Sequence, residues 1–155
     1  MFWRALLAFL AMPAVVALAA PAAWLWFSGR LHLVHPLGLL AWSAGLAGLL
    51  WCVRDFYVVG KGTLAPWAPP EKLVVVGLYR FSRNPMYVSV ALVLLGWAWA
   101  FAAWGLLVYA LAVVVAFHLR VVLGEEPWLA RTHGESWRRY QQRVPRWLGP
   151  RRRVR

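Results

Sequence analysis

The sequence predicts an all-α integral membrane protein with about four transmembrane helices, a hairpin formed by the third and fourth of them, and an interfacial C-terminal helix. Two observations lead to this fold class. Of the 155 residues, 63% are hydrophobic, whereas soluble domains average about half. The apolar residues also form runs close to the 20 or so residues that a bilayer-spanning helix needs. The length suits a single domain.

Residues 1–59 are predicted to form two N-terminal spans. The first covers about Trp3 to Phe27 and is longer than the apolar core of a signal peptide, so a retained helix is expected. The second covers about Pro36 to Val59. Three small residues in the second span would let another helix approach closely; they are Ala44, Gly45 and Gly48.

Residues 60–85 are predicted to form a structured cytoplasmic loop that holds a cofactor. Its prolines prevent a regular helix, and its tract LVVVGLYRF is too apolar for a solvated linker. Residues 86–123 follow as the hairpin, with spans at about Met86 to Phe101 and Leu106 to Leu123. The tight AAWG turn between them favours an antiparallel pair of helices.

Residues 124–155 are predicted to be a basic cytoplasmic tail that lies at the membrane surface. Aromatic residues alternate with arginines here, and amphipathic rings settle at the level of the lipid headgroups; the rings are Trp128, Trp137, Tyr140 and Trp147. Trp137 and Tyr140 fall on one helical face. Arg151 to Arg155 are expected to be solvated.

The distribution of charge predicts orientation and partners. The formal net charge is +12, and nine arginines follow Arg120, so anionic lipid is the expected partner rather than nucleic acid. Lys and Arg are also frequent in the 60–85 loop, whereas the first connection has only Arg30. The positive-inside rule therefore places the loop and the C-terminus in the cytoplasm, and an even number of spans places the N-terminus there too. The Ala, Arg and Trp-rich composition favours a bacterial inner membrane.

Cysteine and histidine residues give no sign of a metal or redox site. The single Cys52 lies in an apolar run and is expected to be buried and inert. His118 is expected to be a buried helix residue. His32 and His35 fall on the opposite membrane side, and His133 lies in the tail.

Polar residues are concentrated where the third span begins, in the sequence YRFSRNPMY. Asn84 suits a helix N-cap and Pro85 the first helical position. Two of the five acidic residues, Glu125 and Glu126, are adjacent at the end of the fourth span. A hairpin would bring them beside Arg83 and the tyrosine at position 87.

Two interpretations of this constellation stay open on the residues alone. A helix N-terminus favours an anion, and paired carboxylates favour a cation or a ribose diol, so together they suit a zwitterionic ligand such as an amino acid carrying a nucleoside. The competing interpretation is a purely structural Arg–Glu clamp.

Two tracts resemble a known family. LVVVGLYRFSRNPMYVSVALVLLG and the later GEEPWLARTHGESWRRYQQRVPR are similar to the integral-membrane methyltransferases that include isoprenylcysteine carboxyl methyltransferase and phospholipid N-methyltransferase. The resemblance covers about Glu71 to Trp147. Its signature is Gly-x-Tyr, Arg-His-Pro-x-Tyr, Glu-Glu and Gly-Glu-x-aromatic, in that order.

The resemblance implies methyl transfer from S-adenosylmethionine to a lipid-like or other hydrophobic acceptor at the cytoplasmic membrane surface. It also implies the residues that contact the cofactor, which are Lys72, Leu73, Val74, Tyr79, Asn84, Pro85, Met86, Tyr87 and Glu125. The candidate catalytic residues are Arg83, Arg120 and Glu126. Arg120 lies near the family's substrate-handling basic position without matching its register, and Glu126 is the candidate to share the task of Glu125. No metal is expected.

One departure from the family pattern matters. Asn84 stands where the motif has histidine, so no imidazole is present there to act as a base, although an amide can still hold a cofactor by hydrogen bonds. The alternative to an enzyme is a small membrane scaffold or an anchor that binds anionic lipid. A transporter is disfavoured because the spans carry almost no charge at mid-membrane. The sequence does not identify the acceptor.

Overall fold

The computed structural model describes residues 10–60 and 73–149, and these residues form helices and no strands. An all-α chain was predicted, and this is confirmed. The elements in chain order are a π-helix at Leu10–Ala19 that continues as α1 (Ala20–Phe27), α2 (Gly38–Val58), a 3₁₀ turn (Gly77–Arg80), α3 (Pro85–Ala100), α4 (Trp104–Arg120), a π-helical turn (Val121–Glu125) and α5 (Glu126–Arg143).

Two of these helices are long and apolar enough to cross a membrane, judged by length and composition. They are α2 and the continuous helical stretch Trp104–Arg143 that contains α4. The helices at Pro13–Phe27 and Pro85–Ala100 are apolar but shorter. The 16 residues of α3 extend about 24 Å, against a hydrocarbon core of about 30 Å. The structure therefore supports two candidate spans, and the predicted count of four stays a prediction.

Helices α2 and α3 pack closely against each other, and glycine makes this contact possible. A Cβ atom on Gly96 would lie 2.5 Å from the backbone nitrogen of Trp42, and one on Gly45 would lie 2.7 Å from that of Val93. Gly48 similarly faces the Ser89 hydroxyl. The two glycines that were predicted to allow close approach, Gly45 and Gly48, therefore do so, whereas Ala44 is exposed.

Gly96→Ala is expected to destabilise the protein by about 1–3 kcal/mol, because the new methyl group would push α3 away from the α2 backbone. Gly124→Ala is the matched control, since a Cβ there meets nothing within 4 Å. Thermal melts of both variants in the same detergent check this. Equal melting temperatures would contradict the close backbone contact.

The core joins the N-terminal helix to α2, α3 and α4. Its fully buried members include Ala17, Leu49, Val93 and Ala110. Two hydrogen bonds reinforce the packing, because Trp97 Nε1 and the Tyr109 hydroxyl donate to backbone carbonyls of the N-terminal helix at 3.0 and 3.1 Å. Large apolar side chains cover the outer face of α4 and are exposed. Such a surface is typical of contact with lipid.

The chain reverses between α3 and α4 in a three-residue turn, residues 101–103. The start of α3 consequently lies beside the end of α4: the rings of Tyr87 and Phe117 stack with their centroids 4.3 Å apart. The polar residues before α3 therefore lie beside the acidic residues after α4.

The helix does not end near Leu123, where the fourth span was predicted to stop. It continues through the π-helical turn Val121–Glu125 into α5. Pro127 lies in the first turn of α5 and has no N–H, so it cannot donate a helical backbone hydrogen bond. The widened π-helical turn just before it accommodates this missing hydrogen bond. The break comes later, at Gly134, whose φ of +47° is non-helical and suits glycine.

Candidate functional site

The loop before α3 is held against α2 by a 3₁₀ turn. Gly77 begins the turn with a φ of +54°, and a Cβ at this position would overlap the carboxylate of Asp55. Asp55 is buried, and its Oδ1 pairs with Arg54 at 3.3 Å. The turn therefore requires glycine for two reasons, the backbone conformation and the neighbouring carboxylate.

Tyr79, a predicted cofactor residue, lies inside this packing. Its side chain is 6% exposed and clusters with Cys52 and Val74, and its ring lies 5.4 Å from that of Phe56. Burial raises the pKa of the Tyr79 hydroxyl well above its usual value. The ring is thus enclosed by the protein, and its contact with a cofactor stays a prediction. The expectation that Cys52 is buried is confirmed.

Asn84 occupies the N-cap position of α3, but its side chain forms no cap bond, so that part of the prediction is wrong. Its Nδ2 instead donates to the backbone carbonyl of Arg146 at 3.0 Å. Its own backbone N–H donates to the Ser82 hydroxyl at 3.1 Å. Pro85 is at the first helical position, as predicted. The Asn84 amide is therefore used to hold a distant segment rather than its own helix.

Glu125 lies at the centre of a small polar network at the end of α4. The Tyr87 hydroxyl donates to Glu125 Oε1, and Arg120 Nε donates to the same oxygen at 2.8 Å. Within residues 10–60 and 73–149, Glu125 Oε2 has no bonding partner. The Glu125 side chain is 33% exposed and that of Arg120 is 43% exposed. One carboxylate oxygen is thus oriented by two donors, and the side chain stays partly exposed.

Glu126 has a different environment from its neighbour. Arg83 Nη1 lies 2.8 Å from its Oε1, and Arg146 forms two parallel bonds to it, at 2.9 and 2.8 Å. The Arg83 and Glu126 side chains are 8% and 11% exposed. Hydrogen bonding to Glu126 raises the pKa of Arg146 above its usual value. Both oxygens of Glu126 are therefore engaged in a nearly buried clamp.

The described part of the C-terminal region, residues 124–149, packs onto the loop through two aromatic rings. Trp137 and Tyr140 are 3% and 8% exposed and cluster with Leu73 and Val144, so their predicted position among headgroups is wrong. The Tyr140 hydroxyl, whose pKa is raised by burial, donates to the Tyr79 carbonyl at 2.7 Å. These rings are buried because the loop supplies an apolar surface for the face that they share.

The remaining predicted residues fall into three groups. Met86 packs at the junction of the main core with the Cys52 cluster. His118 is exposed, which corrects the expected burial, and its ring faces that of Trp147 at 6.0 Å. Lys72 and the segment 151–155 lie outside the described residues.

Arg146 is the site residue that sequence reasoning missed. The sequence does not distinguish Arg146 from the other arginines of the tail, because a run of basic residues is normally solvent-exposed. The available signal was Pro145, which ends the helical pattern just before it and allows the chain to turn back toward the loop.

Comparison with known proteins bears on the same region. Residues 36–136 match the family model described as phospholipid methyltransferase. The match covers more than half of the chain and includes α2, the loop, α3, α4 and both glutamates. No curated protein and no solved structure is significantly similar to the chain.

Proposed function

The chain belongs to the phospholipid methyltransferase family, and from this premise we propose that it transfers a methyl group from S-adenosylmethionine to a lipid-like acceptor at the cytoplasmic surface of a membrane. The family supports methyl transfer to a lipid-like acceptor in general. The cofactor, the membrane side and the residue roles form the rest of the proposal.

The observation that carries the proposal is the environment of Glu125. A partly exposed carboxylate, one oxygen of which is fixed by Tyr87 and Arg120, lies beside the loop that bears the family motif. Carboxylates that are oriented in advance form strong bonds to cations and hydroxyl pairs. A group that served only to hold the helices together would be expected to use both oxygens, as Glu126 does.

The residues present fit S-adenosylmethionine. Its ammonium group and ribose hydroxyls are donors that suit Glu125 Oε2, to which no described residue donates, and its carboxylate suits the N-terminus of α3. The backbone of Leu73 and Val74 and the start of α3, residues 84–87, are proposed to form the opposite side of the cofactor site. Asn84, whose amide contacts Arg146, contributes through its backbone and through the position of that segment.

When bound, the cofactor supplies a methyl group on a positively charged sulfur, which is already electrophilic. The protein's task is then to orient the donor and acceptor and to exclude water, and orientation alone contributes up to roughly 7–11 kcal/mol. Tyr87 and Arg120 orient Glu125. Arg83 and Glu126 hold the loop against α5, so we propose positioning roles for these two candidate catalytic residues and a substrate-side role for Arg120.

Four spans, with the loop and both termini in the cytoplasm, complete the proposed arrangement. The exposed apolar faces of α2 and α4 suit lipid contact, and the site lies at the end of the helices that carries the basic residues. Positive charge near a membrane helix favours the cytoplasmic side and attracts anionic lipid. A lipid-like acceptor would reach the site from the bilayer. We propose a bacterial inner membrane as the location.

The proposal is tested by two measurements on the purified wild-type protein. Calorimetric titration with S-adenosylhomocysteine should show saturable binding. Incubation of the protein with methyl-labelled cofactor and total membrane extract should label a product that partitions into organic solvent. A scaffold or lipid anchor would give no binding heat and no labelled product. These two results together would contradict the proposed enzymatic function.

Removal of residues 151–155 is expected to leave cofactor binding and turnover in detergent nearly unchanged. Each Lys or Arg near anionic lipid contributes about 1 kcal/mol to membrane association, and salt screens this contribution. In mixed micelles the truncated chain should therefore bind less anionic lipid per molecule at low salt, measured by phosphate analysis of the repurified protein, and the same amount as wild type at high salt. A large loss of turnover in detergent would place these arginines in the site.

A further inference from the structure

The segment Val144–Trp147, here termed the C-terminal strap, crosses the loop that precedes α3. The Pro145 carbonyl accepts a hydrogen bond from the backbone N–H of Arg83 at 2.9 Å. The Arg146 carbonyl accepts from the Ser82 hydroxyl at 3.3 Å and from Asn84 Nδ2 at 3.0 Å. Every residue from 82 to 84 therefore donates to the strap.

The strap is fastened at both ends by side chains. At one end Val144 is 6% exposed and packs with Trp137 and Tyr140. At the other, Trp147 lies against the ring of His118 on α4. Between them, the Arg146 guanidinium makes its two bonds to Glu126. Arg146 thus uses its backbone to bind the loop and its side chain to bind α5.

We propose that the C-terminal strap completes the cofactor site and that Arg146 is a positioning residue for it. This proposal rests on the proposed function, because the loop that the strap holds is the one assigned to the cofactor. Arg146 acts on the site from two sides. Its carbonyl fixes the residues that lead into α3, and its guanidinium fixes Glu126, the neighbour of the ligand-facing Glu125.

The physical reason is preorganisation. Asn84 and Arg146 are 62 residues apart in sequence, so their contact exists only in the folded chain. Without the Arg146 guanidinium, the strap would no longer be attached to Glu126, and its carbonyls would hold residues 82–84 less rigidly. Cofactor binding would then have to supply the ordering. A charge-assisted pair with two parallel bonds is the strongest contact available for this purpose. Lysine, a point charge on a flexible stem, cannot reproduce it.

The test is calorimetric titration of S-adenosylhomocysteine into full-length variants in detergent. Arg146→Ala should raise the dissociation constant about tenfold or more, with the binding stoichiometry unchanged. Arg146→Lys, the variant least prone to misfold, should give a smaller rise of about threefold or more. Arg143→Ala is the matched control, since Arg143 is an exposed residue at the end of α5, and it should bind like wild type.

Two truncations test the strap as a whole, including its backbone carbonyls. A chain that ends at Val144 lacks the rest of the strap and should bind as weakly as Arg146→Ala, whereas one that ends at Pro150 keeps it and should bind like wild type. An unchanged dissociation constant in both Arg146 variants would overturn the proposal. So would reduced stoichiometry with an unchanged constant, because that pattern marks a residue needed only for folding. Failure of wild type to bind would instead overturn the proposed function.

Discussion

Glu125→Gln is expected to bind S-adenosylhomocysteine at least tenfold more weakly than wild type. A charge-assisted bond from a carboxylate to a ligand contributes about 1.5–3 kcal/mol, and each 1.4 kcal/mol corresponds to tenfold in affinity. Glutamine has the same shape and can still accept from Tyr87 or Arg120, so the fold should persist. Calorimetric titration measures the affinity, and a thermal melt checks the fold.

Glu135→Gln provides the control for Glu125. Glu135 is 68% exposed and lies 3.9 Å from Arg138, so its neutralisation changes the net charge equally without touching the site. Its affinity for S-adenosylhomocysteine should equal that of wild type. If a folded Glu125→Gln variant also retains wild-type affinity, then Glu125 is a structural partner of Arg120 and the cofactor lies elsewhere.

Glu126→Gln should be the most destabilising conservative change in the site. The substitution leaves two guanidinium groups facing each other around a neutral amide. Breaking a buried ion pair costs about 3–5 kcal/mol, and we expect about 3 kcal/mol because Arg146 is one-third exposed while Arg83 is nearly buried. For a chain of this size that corresponds to a fall in melting temperature of about 6–12 °C, measured in detergent.

The two adjacent glutamates should therefore differ in how the same mutation affects the melting temperature. Glu125→Gln should change ligand affinity with little effect on melting, and Glu126→Gln should change melting strongly. Glu135→Gln should shift the melting temperature by little, because exposed pairs contribute about 0–1 kcal/mol. A Glu126→Gln variant that melts like Glu135→Gln would contradict the clamp.

The sequence by itself determined the helical class, the position of α2 and α3, and the pairing of the polar loop with the two glutamates. These features follow from local patterns. An apolar run of a given length predicts a helix, and a short turn returns the next helix along the first, so the neighbourhood of Arg83 and Tyr87 with Glu125 and Glu126 could be inferred without coordinates.

Only the tertiary structure decided how these groups are used. Identical side chains at 125 and 126 acquire different environments because they project from the helix in different directions, one toward Tyr87 and an open edge, the other toward Arg83 and Arg146. The burial of Tyr79 beneath Tyr140, and the strap itself, likewise depend on contacts between residues about 60 positions apart. Chain periodicity carries no information about such long-range contacts, since they are set by which surfaces remain to be covered once the helices have packed.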